Sequence, residues 1–146
     1  MVRQIGAALV GLAAYFVAHW LGLSIAWGQW GPGLAFRGET AVVTGGWVLF
    51  SLALAFGAAF LGGWAAGSLG GGRPVQLLAG FLLILGAVSV VTELRRETVE
   101  PPEDLASLGV REALVVAVEP GWTGVLETLL ATAGALVGGA GRRGRV

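Results

Sequence analysis

Apolar residues in this chain gather into four long blocks separated by short polar or glycine-rich breaks. The blocks run over residues 4–26, 41–69, 75–92 and 120–141. The start of the last one needs an argument, because its apolar run begins near Ala113 and is interrupted by Glu119-Pro120-Gly121. Proline suits the first position of a helix, and a glutamate before it suits the positive end of the helix dipole. A start at Pro120 and an end at Gly141 give 22 residues, roughly 33 Å at 1.5 Å per residue, enough to cross a bilayer. The second block is long enough to tilt or to extend past the membrane. The pattern predicts an all-α integral membrane bundle of four transmembrane helices in a single domain, 1–146.

The breaks carry the remaining structure. Residues 27–40 form a Gly/Pro-containing loop, 70–74 a tight turn, and 93–119 a longer charged segment. Within that segment, Pro101-Pro102-Glu103-Asp104 reads as a helix start, and Leu105, Leu108, Glu112 and Val115 follow at near-helical spacing. Residues 103–118 fit an amphipathic helix at a membrane surface, and equally an ordered loop with no membrane contact. The first block is longer than a signal-peptide core and no A-x-A cleavage pattern follows it, so it is expected to stay as an uncleaved helix.

Composition agrees with the pattern. Hydrophobic residues make up 55% and charged residues 12%, about half the charged share of a typical soluble domain, and mean hydropathy is +0.80. Net charge is zero and no basic stripe interleaves with aromatics, which leaves nucleic-acid binding without support. Cysteine is absent and His19 is the one histidine, which removes disulfides, thiol chemistry and any histidine-based metal cluster built without carboxylates. No cofactor or metal is expected. All nine basic residues are arginine, as in the proteins of a GC-rich bacterium.

Charge also orients the helices. One side of the predicted bundle holds Arg3, Arg73, Arg142, Arg143 and Arg145 with no acidic residue. The other holds Arg37, Arg95, Arg96 and Arg111 together with Glu39, Glu93, Glu97, Glu100, Glu103, Asp104, Glu112 and Glu119. The arginine excess is small, but it flanks both the first and last helices, which puts both termini in the cytoplasm. Trp20, Trp27, Trp30, Trp47 and Trp122 fall near the outer helix ends and Trp64 toward an inner end, where amphipathic rings prefer to sit. The expected location is the bacterial cytoplasmic membrane, in multi-pass form.

Small residues recur every fourth position in two of the helices. The second carries Ser51, Ala55, Ala59, Gly63 and Gly67; the fourth carries Glu127, Ala131, Ala135 and Gly139, at a shift of 76. Gly46-Trp47 and Gly121-Trp122 precede them at a shift of 75. The pattern fits a duplicated helical hairpin related by an axis along the membrane normal, although small residues are frequent enough here to produce it by composition. Lipid supplies no hydrophobic drive between helices, so close packing of small residues makes the second and fourth helices the expected inner pair.

Two ionisable residues fall inside the apolar blocks. Glu127 lies seven residues from Pro120, about 10 Å along the helix. An intramembrane carboxylate is a functional candidate by default; the competing readings are a packing residue hydrogen-bonded near Thr123 or Thr128, or a side chain reaching to the interface. His19 lies seven residues from Ala26, at similar depth, on one face with Ala7, Gly11 and Tyr15. Equal depth allows a His19–Glu127 pair able to relay or sense protons; an interfacial anchor beside Trp20 is the alternative. Ser51, Ser89, Thr92 and Thr132 are expected to be satisfied by their own helix carbonyls. Gly70-Gly71-Gly72-Arg73-Pro74 lacks the Lys-Ser/Thr of a phosphate loop and reads as a turn. No G-x-S-x-G or H-E-x-x-H pattern occurs.

Gly62-Gly63-x-x-Ala66, Gly72-Arg73-Pro74-x-Gln76, Pro120-x-Trp122 and Gly138-Gly139 near arginines give residues 62–143 a resemblance to a type of small, uncharacterised four-helix bacterial membrane protein. The resemblance implies the four-helix fold and no activity. The long acidic segment 93–119 departs from the short loop of that group.

Two functions fit, and the sequence favours the first. It is a non-enzymatic interaction or accessory subunit of a membrane assembly, embedded in the lipid bilayer with a membrane-protein partner or as a homo-oligomer. The other is a small oligomeric transporter or channel using Glu127, with His19, as a proton or cation site. An enzyme fits less well, because no catalytic set is recognisable.

Overall fold

A helix satisfies its own backbone polar groups, and each apolar block takes that solution. A computed structural model describes residues 1–38, 40–95 and 105–141. Among these residues it places five α-helices: α1 (Val2–Ala35), α2 (Gly45–Gly70), α3 (Gly72–Leu94), α4 (Val110–Val116) and α5 (Thr123–Ala140). A 3₁₀ turn covers Leu105–Ser107, and two isolated β-bridges occur without a named strand. α1, α2, α3 and α5 are long and apolar enough to cross a membrane, as in a multi-pass membrane protein. The residues Glu39, Arg96, Glu97, Glu100, Glu103, Asp104, Arg142, Arg143 and Arg145, and the helix start proposed at Pro101–Asp104, lie outside the described residues.

Helix boundaries differ from the sequence expectation for local reasons. α1 does not stop at residue 26. It continues through Trp27 and Trp30, breaks at Gly31 (φ 61°, ψ −167°) and resumes at Pro32 for one last turn. Only glycine adopts that backbone readily, and proline suits the restart. α2 begins at residue 45 because residues 41–43 are taken up by bridges, Phe36 with Val43 and Val42 with Val118. Thr44 caps it: its side chain accepts the Trp47 N–H at 3.1 Å and donates to the Leu34 carbonyl. α2 and α3 are joined by Gly71 alone, at φ 75°, whose N–H returns to the Gly67 carbonyl at 2.9 Å. Pro74 sits in the first turn of α3, where its missing N–H has no helical partner to lose. α5 starts at Thr123 rather than Pro120, because the Pro120 carbonyl accepts both the Thr123 N–H and the Thr123 hydroxyl, closing a turn ahead of the helix.

The segment read as one amphipathic helix over 103–118 is broken at Gly109. That residue is extended, and its N–H is held by the Glu112 carboxylate at 3.0 Å. The two pieces pack on the end of α1 and, with residues 32–38 and 40–43, build a cap over one end of the bundle. The cap has its own core, formed by Phe36, Val43, Trp47, Leu105 and Ala113 with Trp27 packed against it. Trp27 and Trp47 meet edge to face at 5.9 Å, and the Trp27 indole donates to the Leu108 carbonyl at 3.2 Å. Trp47 is therefore buried in the cap, whereas Trp20, Trp30, Trp64 and Trp122 are exposed.

The bundle below is organised by backbone contact. α2 and α5 run parallel, and Ser51, Ala55, Ala59, Gly63 and Gly67 are buried, as are Ala131, Ala135 and Gly139. A Cβ at Gly63 would overlap the Ala135 carbonyl, and one at Gly138 would overlap the Phe60 carbonyl. A shift of 75 positions exchanges these two contacts, the same shift that relates Gly46-Trp47 to Gly121-Trp122 in the sequence. α1 leans on α2, with a Cβ at Gly62 reaching 2.6 Å from the Gly11 carbonyl oxygen. α3 leans on α5, where Gly86 leaves room for the Thr128 side chain.

Candidate functional site

α1 follows α2 and α3 follows α5, so α1 and α3 meet only where small or well-fitted residues face each other. Toward the chain termini they touch, and a Cβ at Gly11 would lie 3.0 Å from the Leu78 side chain. Toward the cap, Phe16 on α1 and Leu85 on α3 face a shared space, and a cleft of about 390 Å³ opens there with α5 as its back wall. Glu127, Thr128 and Ala131 of α5 form the back of this cleft, Tyr15 and Phe16 line α1's side, and Glu93 and Glu119 stand toward the cap.

The structure brings the two candidate residues together. His19 Nε2 lies 3.9 Å from Glu127 Oε1, with their side chains 19% and 32% exposed. That spacing is beyond a hydrogen bond and within ion-pair range when the imidazole is protonated. The other imidazole nitrogen, Nδ1, is buried without a hydrogen-bond partner. Tyr15 lies one turn earlier on the same face, its ring 5.6 Å from the imidazole.

The threonines near Glu127 spend their protons elsewhere. Thr123 donates to Pro120, Thr128 to the Gly124 carbonyl at 2.8 Å and Thr132 to the Thr128 carbonyl at 2.8 Å. Ser51 and Thr92 also donate to carbonyls of their own helices. Ser89, by contrast, lines the cleft. Ser51, Ala55, Ala59, Gly63, Gly67, Ala131, Ala135 and Gly139 are all buried; Ala59, Gly63 and Gly67 lie against α5, Ala135 and Gly139 against α2, and of the eight Ala131 alone lines the cleft.

Three carboxylates thus share one cleft, and no arginine lines it among the described residues. Burial pushes the Glu119 carboxyl above its ordinary range, and the nearby Glu93 charge pushes it in the same direction. The carboxylates are spread along the cleft; among the described residues no three His, Asp or Glu side chains converge as a metal site would need.

Sequence reasoning treated Glu93 and Glu119 as parts of a surface segment and gave Tyr15 no role. The signal for the glutamates was available: one ends α3 and the other precedes α5, and antiparallel neighbours bring those ends together. Phe16 carried no signal, since one more phenylalanine in an apolar helix reads as lipid-facing.

No family model, curated protein or solved structure matches the chain.

Proposed function

We propose that this chain is a small cation transporter or channel of the bacterial cytoplasmic membrane, acting as an oligomer, with Glu127 and His19 as its proton or cation site. The observation that carries this reading is the position of Glu127. It is a carboxylate within a helix apolar enough to cross a membrane, it faces a cleft, and the His19 imidazole lies 3.9 Å from it. A carboxylate at membrane depth is retained where it pairs or lines a polar cavity, and such residues mark ion and proton paths. The distribution of arginine supports both termini in the cytoplasm, which turns the cap and the Glu93/Glu119 end of the cleft outward. Glu93 and Glu119 there would raise the local concentration of cations.

The test is flux in proteoliposomes carrying wild type or Glu127→Gln. Wild type is expected to move protons or monovalent cations, and the variant to lose that flux while melting at the wild-type temperature. Equal flux in the two proteins would refute the assignment.

The accessory-subunit reading has one observation of its own. Val42 and Val118, joined as bridge partners on the cap, are both more than 40% exposed. Purification from native membranes followed by native mass spectrometry separates the readings: a stoichiometric second protein favours the accessory subunit, and a clean homo-oligomer favours transport.

A further inference from the structure

The cleft is far larger than a bare ion requires, and its walls are mostly apolar. An inorganic cation is held by several oxygens converging at about 2.0–2.6 Å, and the carboxylates here do not converge. Small-molecule sites occupy about 300–1,000 Å³ and are mostly apolar with a few placed polar groups. This cleft, at about 390 Å³, has that size and that lining: Leu82, Leu85, Val90 and Phe16 supply apolar wall, and Tyr15 adds a second ring.

Its charge is one-sided. Glu127 stands at the back and Glu93 and Glu119 toward the cap, with no arginine among the described lining residues. Aromatic faces attract organic cations, as carboxylates do, and both Tyr15 and Phe16 are on the wall opposite α3. Phe16, Leu85 and Leu94 are each more than 40% exposed, so the cleft opens sideways between α1 and α3 as well as toward the cap. A ligand with a large apolar part can enter from that side.

We infer that the cleft between α1, α3 and α5 binds an organic cation with a bulky apolar body, its positive centre held by Glu127 and its body against Tyr15, Phe16 and Leu85. This inference rests on the cation-site reading of Glu127 and names the class of cation.

The test uses the full-length protein in mild detergent and three probes: tetraphenylphosphonium, neutral triphenylphosphine oxide, and sodium or potassium ions. Binding is measured by isothermal titration to wild type, Glu127→Gln and Phe16→Ala, each checked by its melting profile. Tetraphenylphosphonium is expected to bind wild type, to bind Glu127→Gln at least about tenfold more weakly, and to bind Phe16→Ala several-fold more weakly, about 1 kcal/mol or more by the tenfold-per-1.4 conversion. The neutral oxide should bind weakly, with no difference between wild type and Glu127→Gln, and more weakly still to Phe16→Ala. Equal binding of tetraphenylphosphonium to wild type and both variants overturns the inference. If sodium or potassium binding, or proton flux in the proteoliposomes, depends on Glu127 and tetraphenylphosphonium binding does not, the organic-cation inference fails while the cation-site reading stands. If no cation shows dependence on Glu127, both fail. Should Glu127→Gln not fold, Phe16→Ala decides, since its wall position predicts weaker binding and unchanged binding overturns the proposal.

Discussion

Gly63→Ala adds one methyl group where α2 has no room for it. The new Cβ would overlap the carbonyl of Ala135, a backbone group of α5 that cannot rotate aside. To restore ordinary contact, the two helices must part by roughly 1 Å at that point, and a gap of about 0.5–1 Å forfeits a quarter to a half of each atom pair's attraction. Over about 40 atom pairs at ~0.1–0.2 kcal/mol each, the loss is about 2 kcal/mol, inside the ~1–3 kcal/mol range for an overpacked core. For a chain of this length that corresponds to a fall in melting temperature of about 4–8 °C.

Gly57→Ala is the matched control. It lies on the same helix, is exposed, and a Cβ there meets nothing within 4 Å. Both variants add the same methyl group to α2, so helix propensity cancels and the difference between them isolates the seam. The assay is thermal unfolding in one detergent at one scan rate, because unfolding of such proteins is often irreversible and the apparent midpoint depends on rate. If Gly63→Ala and Gly57→Ala melt together, the α2–α5 backbone contact does not hold the bundle and the packing argument falls.

Glu119 makes stability depend on pH. Its carboxyl is raised above the ordinary value of 4.5 by burial and by Glu93, so the folded state holds that proton more tightly than the unfolded chain does. Stability from this group is fully present below 4.5 and is lost as pH rises through the raised folded value. Glu119→Gln should therefore melt increasingly above wild type as pH rises from about 4 to 8; a constant difference between the two proteins would refute the assignment. Trp27→Phe keeps a ring in the cap core but removes the indole donor to the Leu108 carbonyl, a loss of about 0.5–1.5 kcal/mol. Amide exchange in α4 should speed up while exchange in α5 stays as in wild type; unchanged exchange in α4 would show that this bond does not hold the cap.

The four long helices were legible because burial in any apolar medium leaves a continuous apolar block as its trace. A repeat of four likewise keeps Ala59 and Gly63 on one face, and both lie against α5. What the pattern did not carry were features made by single backbone groups. The break at Gly31-Pro32 redirects the end of α1 and turns Trp27 into a cap residue. The Val42–Val118 bridge removes residues from the start of α2. Gly109 splits a stretch that has helical spacing, because the Glu112 carboxylate takes its N–H. Each is a local hydrogen-bonding choice that hydrophobic periodicity does not report. The cleft was illegible for a different reason, since it depends on which residues of two helices face each other and not on either helix read alone.

That divergence follows from where the small residues are. Glycine faces the neighbouring helix at Gly63, Gly134 and Gly138 along α2–α5, at Gly11, Gly22 and Gly62 along α1–α2, and at Gly86 and Gly124 along α3–α5. Those three pairs can close along their lengths. Between α1 and α3 only Gly11 faces across, near the termini, and above it the opposing side chains are Phe16 and Leu85. The helices part where the bulky residues begin, and Glu127 occupies the space that opens. The same distribution that tightens the seam therefore exposes the carboxylate, and a change that let α1 close on α3, such as Phe16→Gly, would narrow the cleft from the wall side without touching Glu127.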